Sequence, residues 1–260
     1  MLSDYFSEFE EFEHAKLFKG VKDPWKILSK IPAYIAGWFR EREKEKVGYQ
    51  SVLTGVTFHK ISSIDEPGNY ECMIAVQYPV RLSNAVFLKP WNIFIGNGTI
   101  LESNTIIKSP AIIGNNCQIR HTAYLRGNII MGDNCVAGHS TEIKNSIFMN
   151  NACAGHFAYI GDSILGTDVN LGAGTKLANL QFRTQDEKKS RKIRSIVLKC
   201  GQKKIDTELK KFGAVIGDYV ETGCNSVLAP GVMLGKNSWV FPNTFVTKGL
   251  YAPDSHIGQF

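Results

Sequence analysis

The sequence predicts a mainly β chain: a solenoid of hexapeptide repeats with an N-terminal helical segment and one long inserted loop. Three observations support this class. From Ile95 onward an apolar residue returns every six positions. A 3.6-residue helix cannot hold that period on one face, whereas a coil of short strands can. Glycine is frequent, at 24 residues against 9 prolines, as a chain of many turns requires. Residues 180–213 then break the period, and it resumes beyond them.

With 260 residues, 43% hydrophobic and 21% charged, the chain can bury a full core and has an ordinary globular composition. The N-terminus, MLSDYFSEFEEFEHAK, is acidic and polar and does not read as a secretory signal; no run of eighteen apolar residues is present to span a membrane. Six cysteines without a CxxC pair fit a reducing, cytoplasmic compartment. The net charge of +6 comes mostly from one loop. It suits phosphorylated small molecules and gives little reason to expect nucleic acid.

In chain order, residues 1–85 read as a helical and mixed capping region, 86–250 as the solenoid with the loop 180–213 inserted, and 251–260 as a tail. Asp23 is a candidate N-cap with Pro24 at the first helical position. Trp25, Leu28, Ile31, Ile35, Trp38 and Phe39 then share one face, with a kink expected at Pro32. The mixed charges from Arg40 to Lys46 suit a solvated helix end. The runs VTFHKISSI and ECMIAVQ alternate as strands do.

The expected interior positions are Ile95, Leu101, Ile107, Ile113, Ile119, Leu125, Met131, Ala137, Ile143 and Met149. After a two-residue slip come Leu165, Leu171 and Leu177, and after the loop Ile216, Thr222, Leu228, Leu234, Val240 and Val246. A second, mostly small set lies four positions later, from Thr99 to Cys153, and suits the corners. This pattern resembles the left-handed parallel β-helix of the hexapeptide transferases, in which three hexapeptides make an eighteen-residue coil. Stacked coils pair their strands at about 4.8 Å. Cys117, Cys135 and Cys153 then form one interior column, best read as packing rather than a disulfide or metal site. Arg126 and Lys144 form an outward basic column. His121 and His139 also stack outward, but no third ligand is in register, so no metal is assigned.

Within the loop, IRSIVLKCGQKKIDTEL reads as a hairpin with Gly201 in its turn. Eleven Lys or Arg face four acidic residues across 180–213. A solvated extension and a role in holding the phosphates of a sugar phosphate or of coenzyme A both fit; nucleic acid fits less well.

The run GHFAYIGDSILGTDVNLGAGTKLAN, with YLRGN and STEIKNS upstream, resembles the acetyltransferase domain of the GlmU enzymes and of the archaeal-type sugar-1-phosphate nucleotidylyltransferase/acetyltransferases. The PWxxL segment Pro24–Leu28 and the DTxLxKFGAxIGD segment Asp206–Asp218 are similar to archaeal-type features, and the likeness covers roughly residues 17–250. Nothing in the sequence is similar to the family's nucleotidyltransferase domain.

The resemblance implies an acetyl-CoA-dependent N-acetyltransferase acting on an amino-sugar 1-phosphate of the glucosamine 1-phosphate type, in UDP-N-acetylglucosamine biosynthesis. Acetyl-CoA would be a co-substrate, with no tightly bound cofactor, in a cytoplasmic homotrimer to which a separate nucleotidyltransferase could be a partner. His156 would be the general base, because an attacking amine must lose a proton and imidazole titrates near neutrality. The Ala173 N–H, in the Gly172–Gly174 turn, would face the oxyanion, and Asn179 would orient the amine or the base. Arg126 and Lys144 would hold the acceptor phosphate, and Glu142, Tyr159 and Asn170 the sugar. Ala173, Gly223 and Cys224 would lie against the acetyl-CoA thioester.

Two departures bear on specificity. Cys224 stands where the family carries serine, and Leu180-Gln181-Phe182 follows Asn179 where the bacterial enzymes have Tyr-Asp-Gly. The alternative to an enzyme is a non-catalytic solenoid that binds a nucleotide sugar or a partner protein; a longer acyl donor is a third reading.

Overall fold

In the computed structural model, which describes residues 2–7, 10–45, 54–62, 70–200 and 202–259, the six-residue period folds as a left-handed parallel β-helix. Among the described residues the chain forms three nine-stranded sheets and one two-stranded hairpin. One sheet, the tyrosine face, runs through Tyr124–Leu125, Glu142–Lys144, Tyr159–Gly161 and Lys176–Leu177. A second, the covered face, includes Ile93–Ile95, Ala111–Ile113, Ile129–Met131 and Ser146–Phe148. The third face includes Val136–His139, Cys153–His156 and Asn170–Leu171. Asn and Asp recur in the left-handed region at the corners, as at Asn116, Asn134, Asn151 and Asp168. Their short polar side chains tolerate the positive φ that each sharp turn requires.

The stack is closed at its N-terminal end by antiparallel strands. Tyr70–Val76 pairs with Ile106–Lys108, Val80–Arg81 with Ile100–Leu101, and Val86–Leu88 with Ile93–Ile95. Reversed strands of this kind cover an edge that would otherwise offer unpaired N–H and C=O groups.

The expected interior register holds from Ile95 to Ile143 and then changes. Met131 is paired with Phe148, and Phe148 with Leu165, so the interior residue after Ile143 is Phe148, five positions on. Ile160 is likewise followed by Leu165. The two-residue slip is therefore two single-residue deletions at the same corner of successive coils. Serines stitch the shortened corners: Ser146 Oγ donates to Lys144 O (2.7 Å) and Ser163 Oγ to Gly161 O (2.8 Å). Met149 consequently points out of the solenoid into a second core, with Ile147. Cys153 is also displaced from the interior column. Cys117 and Cys135 are buried there, but Cys153 is paired with Val136 on the outward face and is only partly buried, while Ala152 takes the interior place.

The second core explains why strands on one face are apolar on both sides. Phe94, Ile112, Ile130, Ile147, Ile164, Val215 and Met233 project outward from the covered face. The N-terminal arm lies over them, burying Phe6, Phe12, Trp25, Leu28, Ile31, Ile35, Trp38 and Phe39. Asp23 does not cap through its side chain; it pairs with Lys26 at 3.2 Å. Instead of a kink, Pro32 marks the junction where the 3-10 turn Pro24–Lys30 becomes the α-helix Ile31–Arg42. A first-turn proline costs little because its missing N–H has no helical acceptor there. The hairpin of the inserted loop is Val197–Cys200 paired with Lys203–Asp206, and its Ile196 and Leu198 join the same core. Gly201, Lys46 and the Ser63–Ile64 end of VTFHKISSI lie outside the described residues.

His14 is sealed within the arm, 1% exposed, with Nδ1 2.9 Å from the Tyr34 hydroxyl. Burial pushes its pKa down from 6.5 to about 4. Below pH 6.5 the unfolded chain takes up a proton that the folded arm refuses, so stability falls as pH drops from 6.5 toward 4. Going from pH 7 to pH 5 should cost the wild type about 2 kcal/mol more than it costs His14→Phe. Urea unfolding followed by tryptophan fluorescence at the two pH values checks this.

Candidate functional site

Three residues singled out in the sequence stand on consecutive rungs of one corner, where the third face turns into the tyrosine face. Gly174 N–H donates to His156 O (2.9 Å) and Asn225 N–H to Ala173 O (2.8 Å), which stacks His156, Ala173 and Cys224 in that order. Below them the column continues with His139, the register partner of His156, and His121. The rings of His121 and His139 stack at 5.6 Å. Among the described residues no group of three or more His, Cys, Asp or Glu is arranged to hold a metal ion.

His156 is exposed, and its imidazole has no hydrogen-bond partner among the described residues. The Ala173 N–H likewise has none among them. Its flanking glycines have separate physical reasons. A Cβ on Gly172 would come within 2.5 Å of Thr222 O on the next coil, and Gly174 has φ +78°. Gly223 is required by packing as well, since a Cβ there would lie 2.4 Å from Pro242 N. The Cys224 thiol is exposed beside Ala173.

On the tyrosine face, Tyr159 is the register partner of Glu142 on one side and Lys176 on the other. Arg126 Nη1 pairs with Glu142 at 2.8 Å, so the carboxylate expected to meet a sugar also holds the guanidinium of the basic column. Lys144 is half-buried, and no carboxylate among the described residues pairs with it. Burial, with Glu142 and Asp162 nearby, raises the Tyr159 phenol above its ordinary pKa, so it remains a neutral donor and acceptor. Asn170 is on the third face, beyond the His156 corner, and donates to Glu221 at 2.9 Å.

Asn179 is at the opposite corner of the tyrosine face. His156 and Asp162 are six residues apart along one coil, and Asp162 stacks beneath Asn179; six extended residues span up to about 20 Å. Within one chain the Asn179 side chain meets Asp162 and Tyr159, and no hydrogen bond to His156 is formed among the described residues. Its Nδ2 donates to Asp162 Oδ2 at 2.5 Å, while Asn145 Nδ2 donates to Asp162 Oδ1 at 2.8 Å. Gly161 makes room for the meeting: a Cβ there would be 2.6 Å from Asn179 Nδ2 and 2.7 Å from Tyr159 Oη. Asp162 is the site residue missed by sequence reasoning. Its signal was the Gly161-Asp162 pair inside the densest motif, at a corner where the period shortens. Past Lys176 the same face opens into an apolar cavity of 370 Å³ lined by Leu180, Phe182, Val227, Pro230 and Phe245.

The fold and this corner define a hexapeptide-repeat solenoid with polar groups displayed on two adjoining faces. Residues 106–211 match the family model described as the GMPPB C-terminal domain. The chain is 37% identical over 105 residues to a bifunctional sugar-1-phosphate nucleotidylyltransferase/acetyltransferase of Sulfurisphaera tokodaii, covering 40% of this chain and 23% of that protein. It is 42% identical over 95 residues to the bifunctional protein GlmU of Methanococcus vannielii, covering 36% and 20%, and 33% identical over 106 residues to that of Trichodesmium erythraeum, covering 41% and 17%. The matches span about a fifth of the length of these curated relatives. The solenoid is thus similar to the GMPPB C-terminal domain over residues 106–211 and to the GlmU-type proteins, the second being the resemblance the motifs indicated. Among the described residues no helix is long and apolar enough to cross a membrane.

Proposed function

We propose that this chain transfers an acetyl group from acetyl-CoA to the amine of an amino-sugar 1-phosphate of the glucosamine 1-phosphate type, in UDP-N-acetylglucosamine biosynthesis. The observation that carries the proposal is the stacking of an accessible imidazole, His156, directly beneath an unpartnered backbone N–H, Ala173. Acyl transfer needs these two groups together. The amine attacks the thioester carbon while His156 takes its proton. The negative oxygen of the tetrahedral intermediate is met by the Ala173 N–H; the C–S bond then breaks and the coenzyme leaves as a thiol. Arg126 and Lys144 attract the acceptor phosphate, and Tyr159 and Glu142 supply sugar contacts. The apolar cavity past Lys176 suits the aliphatic arm of the coenzyme.

The site residues face outward from a convex corner, and Asn170 and Asn179 are on different faces of one chain. A concave site made of all of them needs a second subunit, which supports a homotrimer whose clefts lie between solenoids. Names printed for the relatives include both nucleotidylyltransferase and acetyltransferase activities. The groups at the His156 corner suit the second; for the first we propose a separate nucleotidyltransferase as partner, in a cytoplasmic setting. The test is incubation with glucosamine 1-phosphate and acetyl-CoA, with the product analysed by mass spectrometry. One acetyl group on nitrogen is expected. An unmodified acceptor beside intact acetyl-CoA would favour a binding solenoid instead.

A further inference from the structure

We infer that Lys176 is a positioning residue of this site: its ammonium ties the turn carrying His156 to the turn carrying Ala173 and holds base and oxyanion donor in register. The inference rests on the acyl-transfer reading for its effect on turnover, and on contacts within the chain for the tie itself. Lys176 opens the strand Lys176–Leu177, on the tyrosine face beside Tyr159. A lysine at such a surface position ordinarily extends into water or meets a carboxylate. Here Nζ bends back onto backbone, donating to Phe157 O at 2.7 Å and to Gly174 O at 2.8 Å.

Those two carbonyls belong to the residues that follow His156 and Ala173. Both residues are in left-handed turns, with φ +52° at Phe157 and +78° at Gly174. Neither carbonyl accepts a backbone bond between coils among the described residues, so the ammonium adds a second link between the turns beside the Gly174 N–H to His156 O bond. Partial burial lowers the Lys176 pKa from 10.5, as expected for a cation held against backbone rather than in water. No carboxylate among the described residues neutralises it. Its charge therefore stands close to the Gly172–Gly174 turn, where the oxyanion would form. With two N–H groups committed to carbonyls it is a poor candidate for the base itself.

Lys176→Met keeps the aliphatic stem and removes both bonds and the charge, while Lys176→Arg keeps cationic donors. Losing the register should lower kcat about tenfold to a hundredfold in the Met variant, with KM for either substrate moving less than about twofold. The Arg variant should recover most of kcat. An independent readout is hydrogen exchange at the Gly174 amide, which bonds to His156 O; it should quicken in the Met variant and not in the Arg variant. Unchanged kcat in the Met variant of an active enzyme overturns the inference, as does a rise in KM alone, which would make Lys176 a binding residue. If the wild type itself is inactive, the acyl-transfer reading fails by itself. The exchange data then decide the tie: quickened exchange upholds it and unchanged exchange overturns it.

Discussion

His156→Ala should lower acetyl transfer by at least a hundredfold and leave the thermal unfolding midpoint within about a degree of the wild type. A positioned base contributes roughly 10²–10⁴-fold to a proton-transfer step. The imidazole is exposed and makes no side-chain hydrogen bond among the described residues, so truncation removes chemistry without removing support. The measurement is coenzyme thiol release under saturating substrates, with unfolding followed in parallel. Activity within twofold of wild type would take His156 out of the role of base. Restoration by added imidazole would tie the lost activity to the missing base.

The largest effect on stability is expected at Phe148. Its ring is fully buried inside the solenoid, between Met131 and Leu165 on neighbouring coils. Phe148→Ala should cost about 3–5 kcal/mol in urea unfolding, because the stacked coils cannot collapse into the space. Met149→Ala should be comparably costly but act elsewhere, since Met149 packs under the arm. Hydrogen exchange separates the two. Truncating Phe148 should loosen Ile129–Met131 and Ile164–Leu165; truncating Met149 should loosen the helix Ile31–Arg42. The reverse pattern would restore the register in which Met149 is interior.

Much of this architecture could be read from the chain because each coil repeats the same steric problem. Ile95 to Ile143 run without a deletion, and eighteen-residue spacing stacks Arg126 under Lys144 as expected. The register was lost after Ile143 for a simple reason: Phe148 and Met149 are adjacent and both apolar, so a five-residue step and a six-residue step look alike. The pairing of Phe148 with Met131 and Leu165 reveals the shortened corners, and the Ser146 and Ser163 bonds stitch them. Apolar triplets such as IFI, AII and IIM carried a second signal, burial on both faces, and the arm over them is its cause. At the site, the resemblance gave Asn179 the role of orienting the amine or the base, whereas within one chain its side chain meets Asp162 and Tyr159. Convex geometry of that kind cannot be seen in a linear motif. Lys176 was hidden differently, since an isolated lysine at an outward position looks like any solvated side chain until its carbonyl partners are known.

The most direct test of the central claim, that the His156–Ala173 corner performs acyl transfer, is the rate of thiol release from acetyl-CoA by the purified chain across a panel of amino-sugar 1-phosphates. The account predicts release that requires both co-substrates, reaches one equivalent per acceptor amine and favours glucosamine 1-phosphate or a close amino-sugar relative. Thiol release that is absent across the whole panel, or that proceeds without an acceptor, would contradict it.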